Sequence, residues 1–99
     1  MAKLIHTESE LKTKDKSIKK IFGNEQSNIV NIQLKTGEEI PEHNSKNPVF
    51  IIVRSGTVKF ICPDEEYLLQ DSDILFMEAE EMHSVEAVTD TDFLVVFLK

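Results

Sequence analysis

The chain has 99 residues, of which 40% are apolar and 29% are charged, a composition typical of a globular protein with one domain. Its net charge of −7 disfavours a nucleic acid partner, and its longest apolar run, Phe93 to Leu98, is far shorter than the roughly 18 residues that indicate a membrane span. The N-terminus has no apolar core of signal-peptide length, and the lone Cys62 excludes an internal disulfide, so we expect a cytoplasmic protein.

Residues 1–17 are mostly polar and are predicted to form an N-terminal arm. Within this arm Thr7 and Glu10 have the spacing of a capping box, but the apolar positions that follow are too few for a stable helix. Residues 18–99 are predicted to form a barrel, and the arm and the barrel together make one domain that spans 1–99.

The pattern from residue 18 onward is typical of β-strands. Short β-branched or alternating apolar segments are separated by turn signals such as Gly23-Asn24 and Pro63-Asp64. The predicted strands are 18–22, 28–34, 49–53, 57–62, 66–69, 73–77, 83–88 and 92–98. Because no helix of crossover length separates them, we expect an all-β barrel or sandwich, with Gly37 and Gly56 at positive φ in turns.

Two spaced segments, one with His43 between Gly37 and Gly56 and one around His83, resemble the two motifs of the cupin superfamily. The first cupin motif begins with a glycine, which is followed after five residues by H-x-H. A glutamate comes three or four residues later, and a second glycine follows after six more residues. Gly37, His43 and Gly56 stand at that spacing here, whereas Ser45 takes the place of the second histidine and Val49 that of the glutamate. The segment therefore matches the motif in spacing but lacks two of its polar residues.

The second cupin motif runs from a glycine through P-x-G to a histidine and an asparagine. His83 matches the histidine, while Ser72, Glu78, Glu80 and Ala87 replace the other four residues. The resemblance covers about residues 28–98 and implies a double-stranded β-helix, the jelly-roll cupin barrel. It also implies a homodimer, by the habit of the family and the need to cover exposed strand edges.

In typical cupins three histidines and the glutamate bind a divalent metal, and only His43 and His83 carry over to this chain. The resemblance implies that Ser45, on the same strand as His43, and Val49 face the barrel interior. The predicted ligand-binding residues are His43, Ser45, Val49, Met77 and His83, and the predicted metal ligands are His43 and His83. A divalent transition metal at partial occupancy is the one cofactor that this set suggests.

Three functions stay open at this point. The first is a cupin that binds a small molecule in the barrel, without an intact four-ligand metal site and without catalysis. The second is a metal-dependent dioxygenase, isomerase or decarboxylase in which His43 and His83 are two ligands and substrate or water completes the metal shell. A third protein ligand would have to come from Glu39, Glu42, Glu80 or a partner's His6. The third is a dimeric partner of another protein.

Overall fold

A computed structural model describes all 99 residues and contains nine β-strands and no helix. The strands are β1 (Lys16–Gly23), β2 (Ser27–Leu34), β3 (Glu39–His43), β4 (Val49–Ser55), β5 (Val58–Ile61), β6 (Glu66–Leu69), β7 (Ile74–Met77), β8 (His83–Ala87) and β9 (Thr91–Leu98). The predicted all-β class is therefore confirmed. No helix is present that is long and apolar enough to cross a membrane.

The strands form two antiparallel sheets. The five-stranded sheet has the order β1-β2-β9-β4-β7, and the four-stranded sheet has the order β3-β8-β5-β6. Alternate side chains of each sheet point inward, so residues of both sheets share one hydrophobic core. Its largest fully buried apolar side chains are Phe60, Phe93, Leu34, Ile51 and Val58.

Most observed strand ends lie within two residues of the predicted ones, and two differences are more consequential. β1 begins at Lys16, so the arm is two residues shorter than predicted. β3 was not predicted, and it ends at His43, so Ser45 does not lie on the same strand as His43. The register of β3 shifts between Ile40 and His43, and a hydrogen bond from the Asn47 amide to Ser45 Oγ bends the chain beyond the strand.

Polar side chains are buried on the outer face of the five-stranded sheet because the N-terminal arm covers them. Gln33 is 2% exposed; its Oε1 accepts from the Glu10 amide at 2.8 Å and its Nε2 donates to the Glu8 carbonyl at 3.0 Å. The Arg54 guanidinium donates to both carboxylate oxygens of Asp92 and to Thr7 Oγ1. These bonds satisfy the buried amide of Gln33 and hold the exposed Arg54 against Asp92.

Gly37 and Gly56 both adopt positive φ, as predicted, with values of 86° and 80°. Gly56 forms the turn between β4 and β5 and packs directly against the backbone of Asp90 and Thr91. Gly37 faces open space. The two glycines therefore share a backbone conformation but differ in their surroundings.

Candidate functional site

A cavity of about 260 Å³ lies between the two sheets and holds most of the predicted site residues. Nine of its 13 lining residues are hydrophobic. The apolar wall consists of Ile32, Ile40, Val49, Ile51, Phe60, Val85, Phe93, Val95 and Phe97, and the polar lining residues are His43, Asn44, Ser45 and His83. The cavity is therefore an apolar chamber with one polar cluster.

The four cupin metal-ligand positions converge on this cavity, although two of them carry other residues. His43, Ser45, Val49 and His83 all line it. Val49 is 3% exposed and faces the interior, so an apolar side chain stands where the family motif has a carboxylate. Met77, the remaining predicted residue, is 2% exposed and pairs with Val49 between β4 and β7, but it belongs to the core and does not line the cavity.

Asn44, Phe93 and Phe97 line the cavity although the sequence does not single them out. Asn44 lies between His43 and Ser45, at a motif position where any residue is allowed, so no sequence signal marks it. Phe60 and Phe93 occupy inward positions of β5 and β9, and the strand alternation could have identified them as cavity candidates.

The pairing of β3 with β8 places the two histidines against each other. His43 is the last residue of β3 and lies opposite His83, the first residue of β8, with ring centroids 4.2 Å apart at an interplanar angle of 62°. His83 also stacks on Phe60, with centroids 6.0 Å apart. His43 is exposed at the mouth of the cavity, whereas His83 is only 6% exposed.

Both imidazole rings are held by backbone carbonyl groups two residues earlier in the chain. His43 Nδ1 lies 2.9 Å from the Pro41 oxygen, and His83 Nδ1 lies 3.0 Å from the Glu81 oxygen. A carbonyl oxygen can only accept a hydrogen bond, so each Nδ1 carries the hydrogen. In the neutral form of each ring Nε2 is then the atom with the free lone pair.

Burial lowers the pKa of the His83 imidazole below its ordinary value. The hydrogen bond to the Glu81 carbonyl opposes this shift, and the adjacent His43 adds to it. His83 is therefore neutral at neutral pH, and its Nε2 is available as a hydrogen-bond acceptor or a metal ligand.

The residues of the cavity do not fit the four-ligand metal site of typical cupins. Two imidazoles with Nδ1 held by the backbone resemble oriented metal ligands. However, no group of three or more His, Cys, Asp or Glu side chains is arranged to hold a metal ion anywhere in the chain. Glu39, Glu42 and Glu80, the predicted sources of a third ligand within the chain, do not line the cavity.

Cys62 offers no alternative reactive centre. It is 8% exposed, and burial together with the nearby Glu81, Asp64 and Glu65 carboxylates raises the pKa of its thiol. The thiolate that a nucleophile requires is therefore disfavoured, and Cys62 acts as a small buried apolar side chain.

Comparison with known proteins identifies the family. The model of the cupin domain family matches residues 30–99, most of the chain. The chain therefore belongs to the cupin domain family. Comparison with curated proteins finds no significant match.

Solved structures with the same fold come from diverse organisms. An RmlC-like cupin family protein with a double-stranded β-helix fold from Methanocaldococcus jannaschii has a TM-score of 0.85 and 22% identity, over 99% of this chain and 91% of its own. An RmlC-like cupin protein from Desulfovibrio desulfuricans has a TM-score of 0.77 and 26% identity, over 84% and 81% of the two chains. The DMSP lyase DddQ from Ruegeria pomeroyi has a TM-score of 0.72 and 14% identity, over 77% of this chain and 40% of its own. These likenesses confirm the double-stranded β-helix, a fold that hosts different functions.

The pKa of His83 predicts a loss of stability in mild acid. Because the unfolded chain protonates this ring near the ordinary value of about 6.5 and the folded chain only at lower pH, the unfolded state binds more protons between those values. The free energy of unfolding should therefore fall as pH decreases from about 6.5, by about 1.4 kcal/mol for each unit that separates the two pKa values. Urea titrations across this range measure the slope. His83→Gln should reduce the slope of the free energy of unfolding against pH, while His6→Gln should leave that slope unchanged. Identical slopes in all three proteins would show that His83 is not its source.

Proposed function

We propose that this cupin binds a small molecule in the cavity between its sheets, without a four-ligand metal site. The observation that carries the proposal is the convergence of His43, Asn44, Ser45 and His83 on an otherwise apolar chamber. An apolar pocket with a few convergent polar groups is the usual form of a small-molecule site, in which the apolar wall supplies affinity and the polar groups orient the ligand. The buried Val49 at the carboxylate position supports a site that works without the family's metal set.

The size of the cavity limits the ligand. Its volume of about 260 Å³ lies below the roughly 300–1,000 Å³ of pockets that hold drug-sized molecules. The wall includes Phe60, Phe93 and Phe97, which offer aromatic surface to a flat or compact apolar group. We therefore expect a compact ligand with an apolar body and a polar group near the histidines.

Blocking the mouth of the cavity tests this function. Ser45 is half-buried and lies beyond the end of β3, so Ser45→Trp should fill the entrance without disrupting a strand. A fragment library screened by ligand-observed NMR should give binders of the wild type that lose at least about tenfold in affinity with this variant, since the apolar contacts are lost. Lys46→Trp is the matched control, because Lys46 is exposed, adjacent and outside the cavity wall. The proposal would be contradicted if the fragments bound Ser45→Trp as tightly as the wild type, or if no fragment bound the wild type.

We also propose that the chain forms a homodimer through the outer face of the five-stranded sheet. Phe50, Ile74 and Phe76 are 36%, 63% and 43% exposed on this face, and the rings of Phe50 and Phe76 lie 5.0 Å apart. A second copy related by a two-fold axis can pack the same apolar side chains against these and remove both sets from water.

Sedimentation velocity tests the dimer. The wild type should sediment as a dimer, and Ile74→Ser combined with Phe76→Ser should shift it to the monomer because the apolar contact is removed. Leu68→Ser is the control, since Leu68 is 57% exposed on β6, the edge strand of the other sheet. A monomeric wild type, or a dimer that only Leu68→Ser dissociates, would refute this arrangement.

A further inference from the structure

The hydrogen-bonding character of the cavity follows from how the backbone holds its two imidazole rings. Each histidine Nδ1–H is engaged by a backbone carbonyl, at 2.9 Å for His43 and 3.0 Å for His83. No group of the chain donates to either Nε2 atom. In the neutral ring an unprotonated Nε2 only accepts, so each of these two lining residues has one acceptor atom that no group of the chain uses.

Charge is absent from the cavity wall. None of the 13 lining residues is Lys, Arg, Asp or Glu. A carboxylate ligand would face two nitrogen lone pairs without a cation, and an ammonium ligand would enter an apolar chamber without a counter-charge. Because burial of an unpaired ion is costly, the lining favours an uncharged ligand.

Ser45 supplies the complementary group. Its Oγ accepts a hydrogen bond from the Asn47 amide at 3.1 Å, which fixes the oxygen and leaves its own hydrogen free to donate. Ser45 and the two histidines line the same cavity, so one polar group of a ligand can donate to an imidazole and accept from Ser45. A hydroxyl group does both, whereas an ether or ketone oxygen only accepts and leaves the imidazoles unpaired.

We propose that the cavity takes an uncharged hydroxyl compound, a small alcohol or phenol, whose O–H donates to Nε2 of His43 or His83 and whose oxygen accepts from Ser45. The inference rests on the proposed small-molecule binding and specifies its ligand class. The apolar body of the compound packs against Phe60 and Phe93, deeper in the chamber. The hydroxyl stays near the mouth, where His43 is exposed.

Four probes of similar size test the ligand class: phenol, toluene, anisole and benzoate. Each is titrated into the wild type at about pH 8, above the ordinary range of histidine, while backbone amide shifts of the lining residues are followed by NMR. Phenol should bind at least about tenfold more tightly than toluene or anisole, the ratio that one or two hydrogen bonds supply, and benzoate should bind most weakly. A metal chelator is present throughout.

The outcomes separate this inference from the proposed function. If toluene or anisole binds as tightly as phenol, or benzoate binds best, the hydroxyl class is wrong and binding itself stands. If no probe shifts the lining amides, the hydroxyl class and the proposed binding of small molecules are both contradicted.

Variants and ring-nitrogen spectra provide a second test. His43→Leu removes one acceptor at an exposed position and should lower phenol affinity at least about threefold, while toluene affinity stays within about twofold. His6→Leu, in the exposed arm, should change neither value. Long-range ¹⁵N–¹H spectra should show the Nδ1–H form for both His43 and His83, with the Nε2 resonances moving most on addition of phenol. An Nε2–H form on both rings would overturn the inference.

Discussion

Substituting Ser45 by His and Val49 by Glu together is expected to turn this cavity into a metal site. Both positions line the cavity beside His43 and His83, so the double variant would place four ligand-type side chains on one chamber. Metal analysis after incubation with Mn(II), Ni(II) or Zn(II) and dialysis should give close to one ion per chain for this variant. The wild type should retain well below one.

The same variant should be unstable until metal is added. Val49 is 3% exposed, and a carboxylate at that position without a cation should lower the free energy of unfolding by about 3 kcal/mol. An ion that binds only the folded state should raise the free energy of unfolding by about 2.7 kcal/mol when its free concentration is one hundred times its Kd. Thermal unfolding with metal and with chelator measures the difference.

The matched control is Ser45→His combined with Val53→Glu. Val53 lies on the same strand and is 4% exposed, but it does not line the cavity. This variant should lose comparable stability and recover little on metal addition, because its carboxylate stands apart from the imidazoles. Equal metal content in the two double variants, or none in either, would show that the four positions do not form a site.

Gly56→Ala should be among the most damaging single substitutions in the chain. At φ 80° an added Cβ would overlap the backbone carbonyl oxygen of Asp90 and lie 2.8 Å from Cα of Thr91. Backbone atoms in the bend that leads into β9 cannot move aside as a flexible side chain can, so the strain of positive φ and the overlap act together. We expect a loss of at least about 3 kcal/mol in the free energy of unfolding.

Gly37→Ala separates the two causes. Gly37 has a similar φ of 86°, but nothing lies within 4 Å of the added Cβ. Gly37→Ala should therefore lower the free energy of unfolding by about 1 kcal/mol, the cost of positive φ for a residue with a Cβ. Urea unfolding of both variants measures the gap, and equal losses would mean that the turn after β4 relaxes around the methyl group.

The sequence predicts the fold well because the barrel depends on local signals. Alternating apolar residues, the turns at Gly37 and Gly56, and the histidine spacing are all visible without the structure. β3 was missed because Pro41 and the charged Glu39 and Glu42 interrupt the usual strand pattern. This strand forms because it pairs with β8 at the edge of its sheet, a contact that only the folded chain reveals.

The site is less predictable than the fold. The motif spacing leads directly to His43, Ser45, Val49 and His83, and all four line the cavity. The placement of Met77 could not be derived, because two inward residues of paired strands can be equally buried while only one borders the cavity. The hydrogen-bonding roles of the imidazoles depend on how the chain curves back to the Pro41 and Glu81 carbonyls, which spacing does not encode.

The N-terminal arm has a consequence for proteolysis and solubility. Among its contacts with the outer face are hydrogen bonds to Gln33 and Arg54, side chains that water can solvate equally well. Cleavage within the arm would therefore uncover amide and guanidinium groups at these positions instead of apolar surface. We expect the trimmed barrel to remain in solution and to keep its cavity, which makes limited proteolysis a route to a smaller protein for crystallisation and NMR.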